Sequence, residues 1–321
     1  MSDLAVAQAP APTAGAISPA ALAARIEVPR ALPARCDGQP LRHLSYSSYA
    51  LFLACPDAWR RKYLCLQRQP KTAAMVLGSR VDDALSDYHR HLLEAGERLP
   101  VEEVIGRYRA TWAERLEADR QRDAIVFDEF DEPTAIERGV EALKLAFEQL
   151  LPRLGMPVAV QRRVELTLAP GLEWSIEGYV DLETQWPDHE RQELVSEVVD
   201  YKVKGGDAIS QAKADCDLQA SLYLAARWLE GRPAECLAFA QILRAGKKRK
   251  TASTALVKTQ RTAGQLRATL ARIALAAGQI SALYERFGPE TPWGFADPAS
   301  GWRCSQRYCP YWHACPGGAG L

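Results

Sequence analysis

The chain has 321 residues, of which 25% are charged and 47% apolar, and its 40 basic side chains are balanced by 40 acidic ones. Those proportions fit a globular protein of one large or two small domains, and a net charge of zero supplies no global field to draw it to nucleic acid. No run of eighteen apolar residues offers a membrane span, and the opening MSDLAVAQAP lacks a basic segment followed by an apolar one, so a cytoplasmic protein is expected.

Residues 1 to about 40 are rich in Ala and Pro and nearly free of aromatics. That composition buries too little apolar surface to offset the entropy of ordering, so a disordered tail is expected, followed by one domain over 41–321. A short helix with Ser45 or Ser47 as N-cap should end at Cys55-Pro56, because proline disfavours helix in the residue before it; helix resumes over 57–65. Leu77, Val81, Leu85, Tyr88 and Leu92 recur at helical spacing and predict a helix over 73–95. Two more are expected over 101–119 and 132–153. Strands are predicted over 158–168, 173–184 and 194–203, separated by turn residues such as Pro170-Gly171 and Trp186-Pro187-Asp188. A helix over 208–230 is stopped by Gly231 and Pro233. Strands over 235–244 and 253–259 flank a basic turn, a long helix fills 262–286, and the last stretch reads as a loop. Helices, three strands, helix, two strands, helix describe an α/β or α+β fold with a mixed central sheet.

Asp200 and Lys202 are two apart in an apolar strand, so their side chains share a face. Asp181, placed at the end of the preceding strand, comes beside Asp200 by a hairpin-like return. Two carboxylates held together repel unless a cation separates them, and hard oxygen donors with open positions suit Mg²⁺ or Mn²⁺. The neighbouring lysine can orient water or stabilise charge on a phosphate. Gly178 suits a point of close approach to the backbone. An Asp and a Lys two apart also describe a solvated edge pair, and Gln219 and Tyr223, one helical turn apart, also suit an ordinary amphipathic helix.

In their order along the chain, Gly178-x-x-Asp181, Asp200-Tyr201-Lys202 and Gln219-x-x-x-Tyr223 resemble the signature of the RecB-like branch of the PD-(D/E)XK nuclease superfamily. The resemblance covers about residues 43–315 and implies a restriction-endonuclease-like core, a mixed sheet flanked by helices. It implies that Asp181 and Asp200 bind the metal with the Tyr201 carbonyl as a further ligand, and that Lys202 is the catalytic lysine. Gln219 and Tyr223 would support the site and touch DNA. Where the family has a metal-binding histidine in a pattern like Gly-x-x-x-His, this chain has Gly78-Ser-Arg-Val-Asp82, which makes Asp82 the candidate third ligand. His89 lies too far along the helix to replace it and is expected to be a surface or packing residue.

Eight cysteines in a chain read as cytoplasmic point to thiols or metal ligands rather than disulfides. Cys304, Cys309 and Cys315 lie in one loop, Cys55 is a distant fourth, and three of the four precede proline. Four thiolates suit zinc as well as an iron–sulfur cluster. The layout resembles the iron–sulfur nucleases (the AddB nuclease domain, the CRISPR adaptation nucleases, the single-strand exonucleases), which implies a cluster, usually 4Fe–4S, clamping the two ends around the core. The chain departs from that pattern in having four residues between its first two C-terminal cysteines where two are typical. Trp302, Tyr308, Tyr311 and Trp312 could shield the cluster, and His313 is an alternate ligand. Cys216 and Cys236 are read as small core residues.

Two basic runs, Arg60-Arg61-Lys62 and Arg244 to Lys250, are candidate phosphate contacts, with solvated surface charge as the alternative. The expected function is a Mg²⁺- or Mn²⁺-dependent DNA exonuclease acting on ends or single strands in recombination or repair. The chain lacks the G-x-x-x-x-G-K-[ST] motif of a motor, so a helicase or recombinase is a candidate partner. The alternatives are a catalytically decayed module that binds DNA or a partner, and a nuclease that processes CRISPR DNA ends.

Overall fold

The computed structural model describes residues 28–246, 249–294, 301 and 303–319. Among these the strands are β1 (His43–Ser45), β2 (Lys71–Thr72), β3 (Ile125–Val126), β4 (Met156–Leu166), β5 (Ser175–Asp188), β6 (Glu193–Lys204), β7 (Cys236–Leu243) and β8 (Ser253–Thr259). The helices are α1 (Tyr46–Ala54), α2 (Pro56–Trp59), α3 (Ala73–Ala95), α4 (Val101–Arg120), α5 (Glu132–Leu145), α6 (Gln211–Asp215), α7 (Leu218–Leu229), α8 (Ala263–Phe287) and α9 (Pro316–Ala319). No described helix is long and apolar enough to cross a membrane.

The main sheet runs β1-β5-β6-β7-β8, with β4 also paired to β5. β4, β5 and β6 form an antiparallel meander, β6 and β7 are parallel, β7 and β8 antiparallel, and β1 lies parallel to β5. The mixed sheet and α/β class therefore agree with the sequence. A parallel β6–β7 pair needs a crossover, which α6 and α7 supply. Alternation along the strands feeds two cores. Val198, Leu237 and Phe239 pack with α1, α7 and α8. Leu182, Val199, Tyr201, Ala240 and Ile242 pack with α3, α4 and α5. Val198 and Val199 thus face opposite layers, as a period of two requires.

Several boundaries differ from the sequence expectation, each for a local reason. β1 has three residues and β2 and β3 two each, too short to show a period. The helix expected over 208–230 is two helices, because the Asp217 side chain accepts the Ala220 N–H and starts α7 afresh. β5 continues to Asp188, so Asp181 lies within the strand and not at its end. Residues 28–40 are held on the body: Trp174 donates its ring N–H to the Pro29 carbonyl at 2.9 Å, Leu32 is buried, and the Cys36 amide bonds the Leu64 carbonyl. The remainder of the expected tail lies outside the described residues. Cys236 is buried as expected, whereas Cys216 is exposed, at the break between α6 and α7.

The basic run after Cys55 is largely interior. α2 continues into a π-helical turn, Arg60–Leu64, which places Arg60 and Arg61 on either side of Asp57. Their Nε atoms each lie 2.8 Å from a different oxygen of its carboxylate. All three residues are buried. Arg60 donates onward to the Pro289 carbonyl and Arg61 to that of Ala314, while Asp57 accepts the Trp293 amide at 3.1 Å. The Trp293 ring stacks on Trp59 with centroids 5.7 Å apart. Arg60 and Arg61 are therefore struts between the two ends of the chain, and of this run only Lys62 is exposed to meet phosphate.

Burial alone would raise the Asp57 carboxyl, but its hydrogen bonds to Arg61 and Arg60 overcome that and hold it below the ordinary range. Removing it strands two guanidinium charges in the interior. Asp57→Ala is expected to cost about 3–5 kcal/mol in urea unfolding, the range for breaking a buried ion pair from one side. A loss under about 1 kcal/mol, the worth of an exposed pair, would show that these ends are not held through Asp57.

Candidate active site

The β5–β6 ladder pairs Leu182 with Val199 and stops there. One step further Asp181 would face Asp200, but the strands part. The Tyr201 N–H is accepted by the Asp181 carboxylate, Oδ2, at 2.9 Å. Asp200 is 1% exposed, and its Oδ1 receives Lys202 Nζ at 2.7 Å and Gln219 Nε2 at 3.0 Å. Gln219 also reaches the Tyr223 hydroxyl at 3.3 Å, so one turn of α7 carries both residues into the gap. Glycine at 178 has a steric cause: a Cβ there would stand 2.9 Å from Tyr223 Cε1.

From the opposite layer α3 brings Asp82, whose Oδ2 receives Gln161 Nε2 at 3.0 Å. Gly78 faces β6, but a Cβ there would meet the Val203 carbonyl at an ordinary 3.9 Å, so close packing does not require glycine. Asp82, Asp181, Asp200, Tyr201, Lys202, Gln219 and Tyr223 are thus gathered around one parting of the sheet.

The electrostatics are those of crowded, desolvated carboxyls. Burial raises Asp181 to about 7, with Asp82 adding to the rise and Lys202, the Tyr201 amide and Gln161 opposing it. Burial likewise raises Asp200 to about 7, against the opposing Lys202. Asp82 rises to about 6, again mainly by burial, with Asp83 and Asp200 adding repulsion. Burial pulls the Lys202 ammonium down, but Asp200 more than restores it, so the lysine stays charged. Asp82 Oδ1 and Asp200 Oδ2 are buried without a hydrogen-bond partner. Unsatisfied buried carboxylate oxygens call for a cation, and the hard donor set fits Mg²⁺ or Mn²⁺. Among the described residues no three His, Cys, Asp or Glu side chains close on a single point that could hold a metal ion.

His89, expected at the surface or in packing, is a packing residue. Its Nε2 lies 2.9 Å from the Tyr201 hydroxyl with the rings stacked, and burial depresses it to about 4. The signal for its inward placement was present, since His89 continues the Val81 and Leu85 stripe at a spacing of four. Gln161 carried no sequence signal; only the structure brings it to Asp82.

The cysteines are more loosely placed. Cys55 lies between α1 and α2, where its sulfur accepts the Ala58 N–H at 3.4 Å as an N-cap. Cys304, Cys309 and Cys315 are partly buried, and all four thiols are free. Burial raises Cys309, with Cys315 and Cys304 adding to the rise, and Cys55 is raised in part by Cys309. The C-terminal segment is seated by Arg61 on Ala314 and by the Tyr311 hydroxyl on the Gln67 carbonyl at 2.7 Å. Of the proposed aromatic shield Tyr311 is buried, Trp312 is partly exposed, Tyr308 is exposed, and Trp302 lies outside the described residues. In the second basic run Arg244 is buried against Phe130, 5.2 Å from its ring centre, and so is structural. Lys247 and Lys248 lie outside the described residues.

No curated protein matches the chain. Among solved structures it is similar to the crystal structure of a candidate exonuclease from Eubacterium rectale, with 14% identity and a TM-score of 0.45 over 74% of this chain and 80% of that one. The family described as the PD-(D/E)XK nuclease superfamily matches residues 43–316. With most of its length matched, and with the carboxylates and lysine gathered where its sheet opens, the chain belongs to the PD-(D/E)XK nuclease superfamily.

Proposed function

We propose that this nuclease-family protein is a Mg²⁺- or Mn²⁺-dependent DNA exonuclease that acts on ends or single strands in recombination or repair. The observation that carries the proposal is the buried Asp200 with Lys202 and Gln219 on one oxygen and no partner on the other. Asp181 and Asp200 would hold the ion, with Asp82 from α3 and the Tyr201 carbonyl completing its protein ligands. Two carboxylates plus water and substrate oxygens are a common Mg²⁺ set, which suits a site where three acidic groups do not close on one point. When bound, the ion supplies a Lewis acid and acidifies its water.

The chain's own residues do the remaining work. Lys202 and Gln219 fix Asp200 through Oδ1 and leave Oδ2 free. The Tyr201 amide fixes Asp181 through Oδ2. Lys202 remains protonated and its side chain is 41% exposed, so it can meet the phosphate and stabilise negative charge developing there. Tyr223 stands on Gln219 and over Gly178, which fixes the angle at which α7 enters the site. Asp82 retains a free buried oxygen, which supports a working site over a decayed one. The cleavage chemistry would serve CRISPR end processing equally well, and a helicase or recombinase would supply the opened DNA.

We further propose that Cys55, Cys304, Cys309 and Cys315 hold an iron–sulfur cluster of the 4Fe–4S type. The hydrogen bonds that seat the C-terminal segment against the front of the chain, Arg61 on Ala314 and Tyr311 on Gln67, support this. Bound there, the cluster would supply a covalent tie parallel to the Asp57 struts.

The wild type should degrade linear DNA with Mg²⁺ or Mn²⁺, and Lys202→Ala should lower the rate by roughly 10²–10³-fold. No cleavage of single- or double-stranded ends with either ion would overturn the nuclease assignment. Because Asp181 and Asp200 titrate near 7 without metal, ion binding must displace protons, and affinity should fall as pH drops from about 8 to 6. The same raised values mean that the metal-free fold binds more protons than the unfolded chain between about pH 4 and 7 and loses stability as pH rises through that window. Asp200→Asn should therefore melt higher than wild type at pH 8 without metal and gain nothing from Mn²⁺; calorimetric scans read both. Protein purified anaerobically should contain iron and acid-labile sulfide and absorb visible light, and Cys309→Ser should lose all three. Stoichiometric zinc, or no metal, would refute the cluster.

A further inference from the structure

Gln161 lies in β4 with φ of 46°, in the left-handed region that a non-glycine residue in a strand rarely adopts. The other described non-glycine residues with positive φ, Leu66 and Gln192, lie outside the strands. The β4–β5 ladder pairs Val160 with Leu182 and Arg162 with Val180, so Gln161 is the residue opposite Asp181. The irregular backbone turns its side chain out of the ladder and across to α3. There Nε2 lies 3.0 Å from Asp82 Oδ2 and 3.1 Å from the oxygen of buried Ser86. The amide is also near enough to the Asp181 carboxyl to oppose the rise in its pKa. One neutral side chain, set opposite Asp181 in the ladder, therefore reaches across to Asp82 on α3 and is anchored there on Ser86.

We propose that Gln161 is a positioning residue for the metal site, holding Asp82 by Oδ2 across from Asp181 so that Asp82 Oδ1 is free to meet the ion. The proposal rests on the metal-dependent reading given above. Its chemistry favours an amide over the alternatives. An arginine or lysine here would supply the positive charge that the ion is to bring, and a carboxylate would add a fourth negative group. An aliphatic side chain would leave Asp82 Oδ2 buried without a donor, as Oδ1 already is. Glycine would suit the backbone best, so a glutamine held in this conformation is explained by what its side chain does.

That separation of backbone from side chain gives the test. In Gln161→Gly the left-handed φ is adopted freely but the amide is gone. Mn²⁺ binding to the metal-free protein, read by calorimetry, should weaken roughly 10- to 100-fold, the usual loss when a partner of a metal ligand is removed. The melting temperature without metal should equal or exceed that of the wild type. Mn²⁺ activation of cleavage should shift to higher concentration by the same factor, with the rate at saturating Mn²⁺ largely kept. Unchanged Mn²⁺ affinity in a folded Gln161→Gly overturns the proposal. If that variant does not fold, Gln161→Asn decides: it tolerates positive φ but falls a methylene short, so weakened binding at a wild-type melting temperature supports the proposal and unchanged binding overturns it. A wild type that cleaves DNA while Gln161→Gly binds Mn²⁺ normally defeats Gln161 alone. One that binds Mn²⁺ without cleaving, with binding lost in Gln161→Gly, defeats the nuclease reading alone. One that does not bind Mn²⁺ defeats both.

Discussion

The structure is organised around a carboxylate kept out of water. Asp200 is in β6, the middle strand of the path, behind helices on both faces, and 1% exposed. An ionised carboxylate in such a place is costly unless it is paired and hydrogen-bonded. Lys202, on the same strand face, and Gln219, from α7, meet half of that demand at a single oxygen. The other half is left open, and Asp181 and Asp82 add to it. Protons can satisfy that demand, as the raised Asp181 and Asp200 carboxyls indicate, and under the proposed function a cation would satisfy it in their place.

The parting of β5 and β6 is what lets both layers take part. A closed antiparallel pair would satisfy the Tyr201 amide with a backbone oxygen and seal α3 from α7. Here the ladder ends at Leu182 and Val199 and a side chain takes that amide. Strand alternation then divides the labour. Asp200 and Lys202 turn to the α7 side, while Tyr201 turns to the α3 side and is locked there by His89. The hydrogen bond between His89 and Tyr201 thus fixes the residue between Asp200 and Lys202 from behind.

Much of this was legible in the sequence, and the limits are physical. Asp200-Tyr201-Lys202 sits in a run whose alternation fixes the shared face of its two ends, and Gln219 and Tyr223 sit one turn apart, so their side chains converge without long-range knowledge. Helix α3 came out at its observed limits because its apolar stripe, Leu77 to Leu92, spans about four turns. What escaped depends on tertiary context. The length of β5, which puts Asp181 inside a strand, is set by pairing with β4 and β6. The burial of Arg60, Arg61 and Arg244 depends on Asp57 and Phe130 and on segments far away, and three arginines that read as a DNA-binding surface are interior. Gln161 was invisible because its role arises from one backbone angle.

The struts at Asp57 have a temporal consequence. Arg60 and Arg61 wait for carbonyls 229 and 253 residues further on. At a synthesis rate of roughly 5–20 residues per second, about 11 to 51 seconds of translation separate the two halves of that contact. The sheet and its acidic pocket emerge from the ribosome inside that interval, while the front helices still lack their far-end partners. A nascent chain can therefore assemble its acidic pocket first and lock its frame last.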